Sequence, residues 1–262
     1  MNLEFYKYQG TGNDFILIDN RKMKVKLNTR QIADLCDRRF GIGADGLMLL
    51  QNPGATGRDF RMVYYNSDGN ESTFCGNGSR CIVAFAKELG AIKKSETNFI
   101  ATDGPHYANI KGNTISIKMK DVETVEVGKN YYLLNTGSPH YVKFIGGVKN
   151  ADLVAQGRDI RYSDRFKKEG VNVNLAEKDG QGIFVRTYER GVEDETLSCG
   201  TGVTATALVA ALKGISTTET YSHVTTPGGK LKVKFHKGKN NAFTNVWLEG
   251  PAAFVFKGEI TI

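Results

Sequence analysis

The sequence lacks any apolar run approaching the roughly 18 residues that a membrane-spanning helix needs, so we expect no membrane partner. Its opening, MNLEFYKYQG, has no basic region followed by an apolar stretch and does not predict a secretory signal. Cysteine is scarce, with 4 in the whole chain. The first two absences favour a cytoplasmic location, where thiols stay reduced, so the cysteines do not predict a disulfide framework.

Acidic residues are fewer than basic ones, which gives a formal net charge of +7. The densest basic run is KLKVKFHKGK, residues 230–239, in which basic and apolar side chains alternate. That alternation is typical of a half-buried strand with one solvated face. Because no nucleic-acid motif accompanies the run, we predict no nucleic-acid partner.

Residue spacings typical of metal-binding or cofactor-binding sites are also missing. The chain has no CxxC pair, and its 4 histidines are scattered, so we predict no metal site. GIGADG, residues 41–46, matches the GxGxxG pattern, but a dinucleotide site needs a strand before it and a helix after it. Here helical QIADLCDRRF precedes and strand-like LMLL follows. No lysine environment indicates pyridoxal phosphate either.

Strand-like alternation dominates the chain, and short helical segments interrupt it. The clearest predicted strands are residues 15–19, 114–120, 183–189 and 243–250, with a hairpin turn at Gly238. The predicted helices are residues 29–40, with Thr29 as the N-cap, and the segments that follow Cys75 and Cys199. Because strands and helices do not alternate regularly, the pattern favours an α+β fold with mixed sheets.

Two segments of the chain are near copies of each other. ESTFCGNGSRCIVAFAKELG, residues 71–90, aligns with ETLSCGTGVTATALVAALKG, residues 195–214, at an offset of 199 − 75 = 124 residues. The alignment pairs Cys75 with Cys199 and pairs both glycines of each CG-x-G. An offset close to half the chain predicts two similar lobes, each presenting one cysteine at the same structural position.

Both repeated cysteines precede Gly-x-Gly and then an apolar segment, so each is predicted at the start of a helix. The unpaired N–H groups there stabilise a thiolate and attract anions. Cys36 and Cys81 have no such setting, and we interpret them as buried core residues. Two thiols on two lobes suit the inversion of a stereocentre, in which one thiolate removes a proton and the opposite thiol delivers one. The carboxylate of an α-amino acid could bind the helix starts.

The two repeated segments and their surroundings resemble those of the diaminopimelate epimerases. These enzymes interconvert LL- and meso-2,6-diaminopimelate without a cofactor, in lysine and peptidoglycan precursor biosynthesis. The similarity rests on GTGNDFILID (10–19), NSDGNESTFCGNGSRC (66–81) and YERGVEDETLSCGTG (188–202). It implies that Cys75 and Cys199 are the acid/base pair and that His140 and Glu189 tune their pKa values. The implied substrate-binding residues are Asn13, Asn66, Gly76, Asn77, Asn172, Glu189, Arg190, Gly200 and Thr201. Arg190 would bind the distal carboxylate as a bidentate fork.

The resemblance also implies a fold of two pseudo-symmetric lobes, each a mixed sheet or barrel wrapped around a central helix. The first lobe would cover residues 1–118, with a C-terminal strand at 251–262 returning to it, and the second residues 119–250. A homodimer is also expected. Two departures concern recognition of the distal end: Ser138 replaces an asparagine that many members carry, and Gly46 replaces a glutamine.

Two alternatives stay open at this point. A proline or hydroxyproline racemase or epimerase would use the same cysteine pair, but its monocarboxylate substrate would not need the clamp formed by Arg190 and Asn172. A non-catalytic redox or binding protein could use the thiols as a disulfide switch. That reading does not explain the glycine-rich helix start beside each sulfur.

Overall fold

The computed structural model describes residues 2–262 and contains 18 strands and four α-helices in that part of the chain. The strands are β1 (Asn2–Gly10), β2 (Asn13–Asp19), β3 (Gly46–Gln51), β4 (Phe60–Asn66), β5 (Glu71–Ser72), β6 (Glu96–Ala101), β7 (Gly104–Lys111), β8 (Thr114–Lys118), β9 (Glu126–Val127), β10 (Tyr132–Asn135), β11 (Pro139–Phe144), β12 (Asn172–Asp179), β13 (Gly182–Glu189), β14 (Asp194–Thr196), β15 (Tyr221–Thr226), β16 (Gly229–Lys237), β17 (Phe243–Pro251) and β18 (Ala253–Thr261). The helices are α1 (Thr29–Cys36), α2 (Gly76–Glu88), α3 (Leu153–Arg161) and α4 (Gly200–Leu212). Parallel and antiparallel pairs are mixed, which confirms the predicted α+β class.

The chain divides into two compact units. The first contains the residues up to Ile117 together with Gly250–Ile262, and the second contains Lys118–Glu249. The last strand therefore belongs to the first unit, where β18 pairs antiparallel with β1 over most of its length.

The two units share one topology. In the first, β1–β2 is antiparallel, β2–β3 parallel, β3–β4 antiparallel, β4–β6 parallel and β6–β7 antiparallel. In the second, β10–β11, β11–β12, β12–β13, β13–β15 and β15–β16 repeat the same sequence of directions. Helices α2 and α4 follow the equivalent short strands β5 and β14, and they begin at residues 76 and 200, which keeps the 124-residue offset.

The helix at the centre of each unit is packed against strands on several sides. In the first unit α2 contacts β1, β2 and β3, and in the second α4 contacts β11, β12, β13, β15 and β16. Helix α4 is apolar around its whole circumference and is almost entirely buried, as expected for a helix surrounded by protein. With 13 residues it is short, and no helix within residues 2–262 combines the length and apolarity of a membrane span.

The helix predicted at residues 29–40 is shorter than expected and begins with a different cap. Asn28, not Thr29, is the N-cap: its side chain accepts from the backbone N–H of Gln31, and the Gln31 side chain accepts from the Asn28 N–H. The helix ends at Cys36 because the Asp37 carboxylate accepts the N–H groups of the next residues, Arg39 and Phe40. Such local hydrogen bonds compete with helix continuation.

The predicted strands all form, with ends that move by one or two residues. The hairpin predicted at Gly238 joins β16 to β17, and Gly238 donates to the carbonyl of Ala242 across the turn. Asn240 and Asn241 adopt left-handed backbone angles inside that turn, a conformation that asparagine tolerates better than most residues.

Gly157 in α3 provides a test of how tightly the second unit is packed. A Cβ atom at Gly157 would lie 2.5 Å from Cγ of Tyr188, whose side chain is fully buried. Helix propensity alone favours alanine over glycine by about 1 kcal/mol, but overpacking a core costs about 1–3 kcal/mol. We therefore expect Gly157→Ala to lower the free energy of unfolding by about 1–2 kcal/mol in urea titrations. Gly146→Ala is the matched control, since a Cβ there meets no atom within 4 Å; equal stability of both variants would contradict the packing account.

Candidate active site

Cys75 is the N-cap of α2. Its backbone is extended, with φ −128° and ψ 115°, and its Sγ accepts from the backbone N–H of Gly78 at 3.5 Å. The Cys75 carbonyl accepts the N–H of Ser79 at 2.7 Å and so forms an early hydrogen bond of the helix. The sulfur therefore sits at the positive end of the helix, where backbone N–H groups face a bound anion or a thiolate.

The side chains around Cys75 are amides. The Cys75 thiol is directed at Oδ1 of Asn13 at 3.8 Å, and Nδ2 of Asn77 donates to the same oxygen at 3.4 Å. Asn77 is buried, Cys75 is partly exposed, and Asn66 is exposed at the end of β4. These residues come from three segments of the first unit, and they combine hydrogen-bond donors with a nucleophilic sulfur.

A chain of ion pairs holds Asn13 in place. Nδ2 of Asn13 donates to the Asp45 carboxylate, which also pairs with Arg38 at 2.7 Å. Arg38 pairs in turn with Asp14 at 2.6 Å, and Asp14 pairs with Lys7 at 2.8 Å. Burial alone would raise the pKa of Asp14, but hydrogen bonds from Arg38 and Lys7 lower it to about 2.

Cys199 occupies the equivalent N-cap of α4, with φ −107° and ψ 111°, and is 8% exposed. Its Sγ lies 3.4 Å from Oγ1 of Thr201, and its carbonyl accepts the N–H of Val203. Thr136, in the turn between β10 and β11, donates to the carbonyl of Thr201 at 2.8 Å. This hydrogen bond ties that turn to the first turn of α4. A Cβ at Gly202 would lie 2.4 Å from Oδ1 of Asn174, so only glycine allows the strand to approach the helix start.

His140 is fully buried in the second unit, and its hydrogen bonds define its tautomer. Thr187 donates to Oδ1 of Asn174 at 2.9 Å, and the Asn174 amide donates to the Tyr141 carbonyl at 3.0 Å and to Nδ1 of His140 at 3.1 Å. Nδ1 therefore accepts, and the ring proton is on Nε2, a buried atom without a protein partner in residues 2–262. Burial, with a smaller effect of Arg190, lowers the His140 pKa to about 3, so the imidazole is neutral at neutral pH.

Asn172, Arg190 and Ser138 form one hydrogen-bonded group. Nδ2 of Asn172 donates to Oγ of Ser138 at 2.8 Å and to the Pro139 carbonyl at 3.1 Å, while its Oδ1 accepts the Arg190 N–H at 2.9 Å. The exposed Arg190 guanidinium donates to the Glu169 carbonyl at 2.9 Å and reaches Ser138 at 3.5 Å. Ser138 thus takes part in the group through its hydroxyl although it is shorter than an asparagine.

Gly46 cannot be replaced by a larger residue without a local rearrangement. A Cβ there would lie 2.6 Å from the Tyr65 carbonyl oxygen and 2.7 Å from Cε2 of Tyr64, a buried ring. The Tyr64 ring therefore fills the space beside Gly46 that a larger side chain would need.

The predicted site residues fall into two groups, one in each unit. Within the first unit, Asn13, Gly76 and Asn77 lie around Cys75, and Asn66 ends β4, which pairs with the short strand β5 that precedes Cys75. Within the second, Gly200 and Thr201 follow Cys199, and Asn172 bonds to Arg190. Glu189 is on β13 beside them and accepts from Thr196 at 2.8 Å.

Sequence reasoning missed two supporting residues of the second unit, Asn174 and Thr187. They were detectable in principle, since Asn172 and Asn174 are separated by one residue in strand β12 and so face the same side. A buried asparagine in a strand must satisfy its amide, which points to a polar network. The hydrogen bond from Thr187 on the neighbouring strand depends on register and had no local signal.

The other two cysteines have the environment of core residues. Cys36 and Cys81 are buried, and burial raises the pKa of each thiol to about 12. No group of three or more His, Cys, Asp or Glu side chains within residues 2–262 could hold a metal ion.

The fold is shared with solved structures of low sequence identity. A phenazine biosynthesis protein of the PhzF family from Bacillus anthracis superposes with a TM-score of 0.73 at 12% identity, over 100% of both chains. A hydroxyproline epimerase from Agrobacterium vitis superposes with a TM-score of 0.70 at 13% identity, over 99% of this chain and 92% of that one. The chain thus shares the fold of these proteins. In this chain a cysteine caps the central helix of each unit.

The family follows from sequence comparison. The family model "Diaminopimelate epimerase" matches residues 5–129 and again residues 132–255, one match for each half. Proteins named diaminopimelate epimerase are 55% identical in Flavobacterium psychrophilum, over 98% of this chain and 100% of that protein, and 38% identical in Chlorobaculum tepidum, over 97% and 99%. The chain belongs to the diaminopimelate epimerase family and is an isomerase.

The neutral buried His140 predicts a specific pH dependence of stability. Its pKa of about 3 lies below the ordinary value near 6.5, so the unfolded chain binds more protons between these pH values. This group's contribution to the free energy of unfolding is complete above pH 6.5 and falls as the pH drops, by up to about 1.4 kcal/mol per unit. We expect the stability difference between wild type and His140→Asn to shrink from pH 7 to pH 4.5 in denaturant titrations. A constant difference would show that His140 is not held neutral.

Proposed function

We propose that the protein interconverts LL- and meso-2,6-diaminopimelate without a cofactor, using Cys75 and Cys199 as the two acid/base groups. The observation that carries the proposal is the pair of equivalent cysteine N-caps, one in each half that the family model matches. Relatives that carry the diaminopimelate epimerase name align over nearly their whole length, which supports the substrate.

The proton transfers follow from the chemistry of the thiols. One cysteine, as thiolate, removes the proton from the α-carbon, and the electron pair remains delocalised into the carboxylate. The other cysteine, as thiol, delivers its proton to the opposite face, which inverts the centre and leaves thiol and thiolate exchanged. The backbone N–H groups that follow Cys75 and Cys199 are fixed donors for the carboxylate as its negative charge grows.

The side chains of the second unit have separate roles in the proposal. Arg190 and Asn172 bind the distal carboxylate, with Ser138 completing the group, because a guanidinium can hold a carboxylate through two parallel hydrogen bonds. His140 acts as a neutral donor through Nε2, and Glu189 as a nearby carboxylate, and together they tune the acidity of the thiols. Asn13, Asn66 and Asn77 bind the substrate from the first unit.

The biological setting is also part of the proposal. A diaminopimelate epimerase supplies meso-diaminopimelate for lysine and peptidoglycan precursor synthesis, and we propose this role in the cytoplasm. Two catalytic thiols support that location, since they must remain reduced to act.

The proposed mechanism is tested by running the reaction in deuterium oxide with LL-diaminopimelate. Thiol protons exchange with solvent, so the acid carries deuterium while the base has just removed protium. We expect deuterium at the inverted carbon of nearly every early product molecule, and almost none in recovered substrate, by mass spectrometry and NMR. Cys75→Ala and Cys199→Ala should each lose epimerisation by at least about 1,000-fold, since each direction needs both groups.

The control is Cys81→Ala, which removes a thiol without a proposed role in proton transfer. Substrate that becomes labelled as fast as product would indicate a single base. Near-normal epimerisation by either alanine variant of the N-cap cysteines would reject the two-thiol mechanism. Turnover of proline at the rate of diaminopimelate would favour a racemase.

We also propose that the protein is a homodimer that associates through β18. This strand exposes three consecutive apolar residues, Phe254, Val255 and Phe256, which are 49%, 52% and 44% exposed. The pairing of β18 with β1 shifts register at this point, with Lys7 opposite Phe256 and Tyr8 opposite Phe254, so Val255 is an extra, unpaired residue of the ladder. The three side chains form one run of exposed apolar surface at this irregularity. A second copy covers such a patch with the same patch of its own in a two-fold arrangement.

The dimer is tested by sedimentation of wild type and Val255→Glu. A buried carboxylate at the interface is costly, so we expect Val255→Glu to shift the species from dimer to monomer at micromolar concentration. Val127→Glu is the matched control, because Val127 is 58% exposed and lies in the second unit. A monomeric wild type, or a Val255→Glu variant that remains dimeric, would reject this interface.

A further inference from the structure

Arg80 lies beneath the first turn of α2, and its side chain is the largest fully buried one among the described residues. Its guanidinium donates to four neutral oxygens within the first unit: the Pro251 carbonyl at 3.1 Å, the Gly76 carbonyl at 3.3 Å, Thr11 Oγ1 at 3.0 Å and Asn77 Oδ1 at 3.0 Å. The group therefore joins the C-terminal segment, the β1–β2 turn and the start of the helix that Cys75 caps.

The charge of Arg80 has no carboxylate partner in residues 2–262. A buried cation without an anion is costly, so a chain that keeps one needs a compensating benefit. The acidic groups that interact with it are the thiols of Cys81 and Cys75, which raise the Arg80 pKa while burial, the larger effect, lowers it. Burial keeps Cys81 protonated at neutral pH, with a pKa of about 12, so Cys75 is the thiol that can provide the negative charge.

The second unit has no cation at the matching position. The 124-residue offset pairs Arg80 with Thr204, a buried neutral residue. Thr204 donates from Oγ1 to the Gly200 carbonyl at 2.9 Å, just as Arg80 donates to the carbonyl of Gly76. A neutral side chain can therefore make the hydrogen bond to the helix, and the charge of Arg80 must serve a different purpose.

Arg80 also determines the orientation of the Asn77 amide. Nη2 of Arg80 donates to Oδ1 of Asn77 at 3.0 Å. With its oxygen engaged on that side, the amide directs Nδ2 toward Oδ1 of Asn13, the atom that the Cys75 thiol also faces. The orientation of this donor beside the sulfur thus depends on the guanidinium.

We propose that Arg80 is a positioning residue that makes Cys75 the thiolate, and Cys199 the thiol, of the resting enzyme. Its fixed positive charge stabilises the Cys75 thiolate from below the helix, and its hydrogen bonds hold Asn77 in the orientation that substrate binding requires. The inference rests on the proposed function, because it assigns the resting protonation of the same two cysteines. It makes the half-sites chemically unequal although their backbones are equivalent.

The test measures the alkylation of each cysteine by iodoacetamide as a function of pH, with peptide mass spectrometry to separate the sites. Only thiolates react, so the midpoint of each profile reports the acidity of that thiol. In wild type, we expect Cys75 to have the lower midpoint. A nearby opposite charge shifts a pKa by about 1–3 units, so Arg80→Gln should raise the Cys75 midpoint by at least about one pH unit. The same variant should lower kcat at pH 7 about tenfold. The alkylation midpoint of Cys199 should remain unchanged.

Arg80→Lys separates charge from geometry. A lysine keeps the charge, so the alkylation midpoint of Cys75 should remain within a few tenths of a pH unit of wild type. Its compact ammonium cannot hold the Asn77 amide in place, so KM for diaminopimelate should rise. Thr204→Val is the matched control, and it should leave the Cys75 profile unchanged. Circular dichroism and thermal melting confirm that each variant is folded.

Three outcomes would overturn the proposal: a wild-type Cys75 midpoint at or above that of Cys199, a folded Arg80→Gln with an unchanged Cys75 midpoint, or equal shifts at both cysteines. The first comparison needs no variant, so it decides even if Arg80→Gln fails to fold. The alkylation midpoints do not depend on epimerase activity. A failure of the proposed function in the epimerase assay is therefore distinguished from a failure of the role assigned to Arg80.

Discussion

The start of a helix places unpaired backbone N–H groups around one side chain, and the settings of Cys75 and Cys199 both depend on that constraint. Cys75 and Cys199 are N-caps, so each sulfur lies where the helix is most positive, and the glycines that follow allow close packing. The helices are held by strands of the same unit, and α4 is buried almost completely. Core packing therefore determines where each thiol lies.

The repeated topology provides two equivalent positions, and the side chains around them provide different chemistry. The first unit surrounds Cys75 with amides, a chain of ion pairs and the buried Arg80. The second unit places a neutral histidine in a network of neutral hydrogen bonds and an exposed arginine in the turn after β13.

Much of the fold was predictable from local pattern. The strand alternation, the helices after each cysteine and the hairpin at Gly238 are encoded in adjacent residues, and the structure contains all of them. Helix α1 was predicted too long because the Asp37 side chain competes for backbone N–H groups, an effect that apolar periodicity does not reveal. The N-cap was displaced by one residue because Asn28 forms a reciprocal pair with Gln31.

The sequence by itself determined the repeat, the α+β class, the family and the two cysteines, because these depend on residue type and short spacing along the chain. Only the tertiary structure decided that Asn174 defines the tautomer of His140, that Tyr64 occupies the space beside Gly46, and that Arg80 is buried without a carboxylate. Each of these depends on residues far apart in the chain meeting at one point. Desolvation acts on groups that packing removes from water, and no local pattern reports which groups those are.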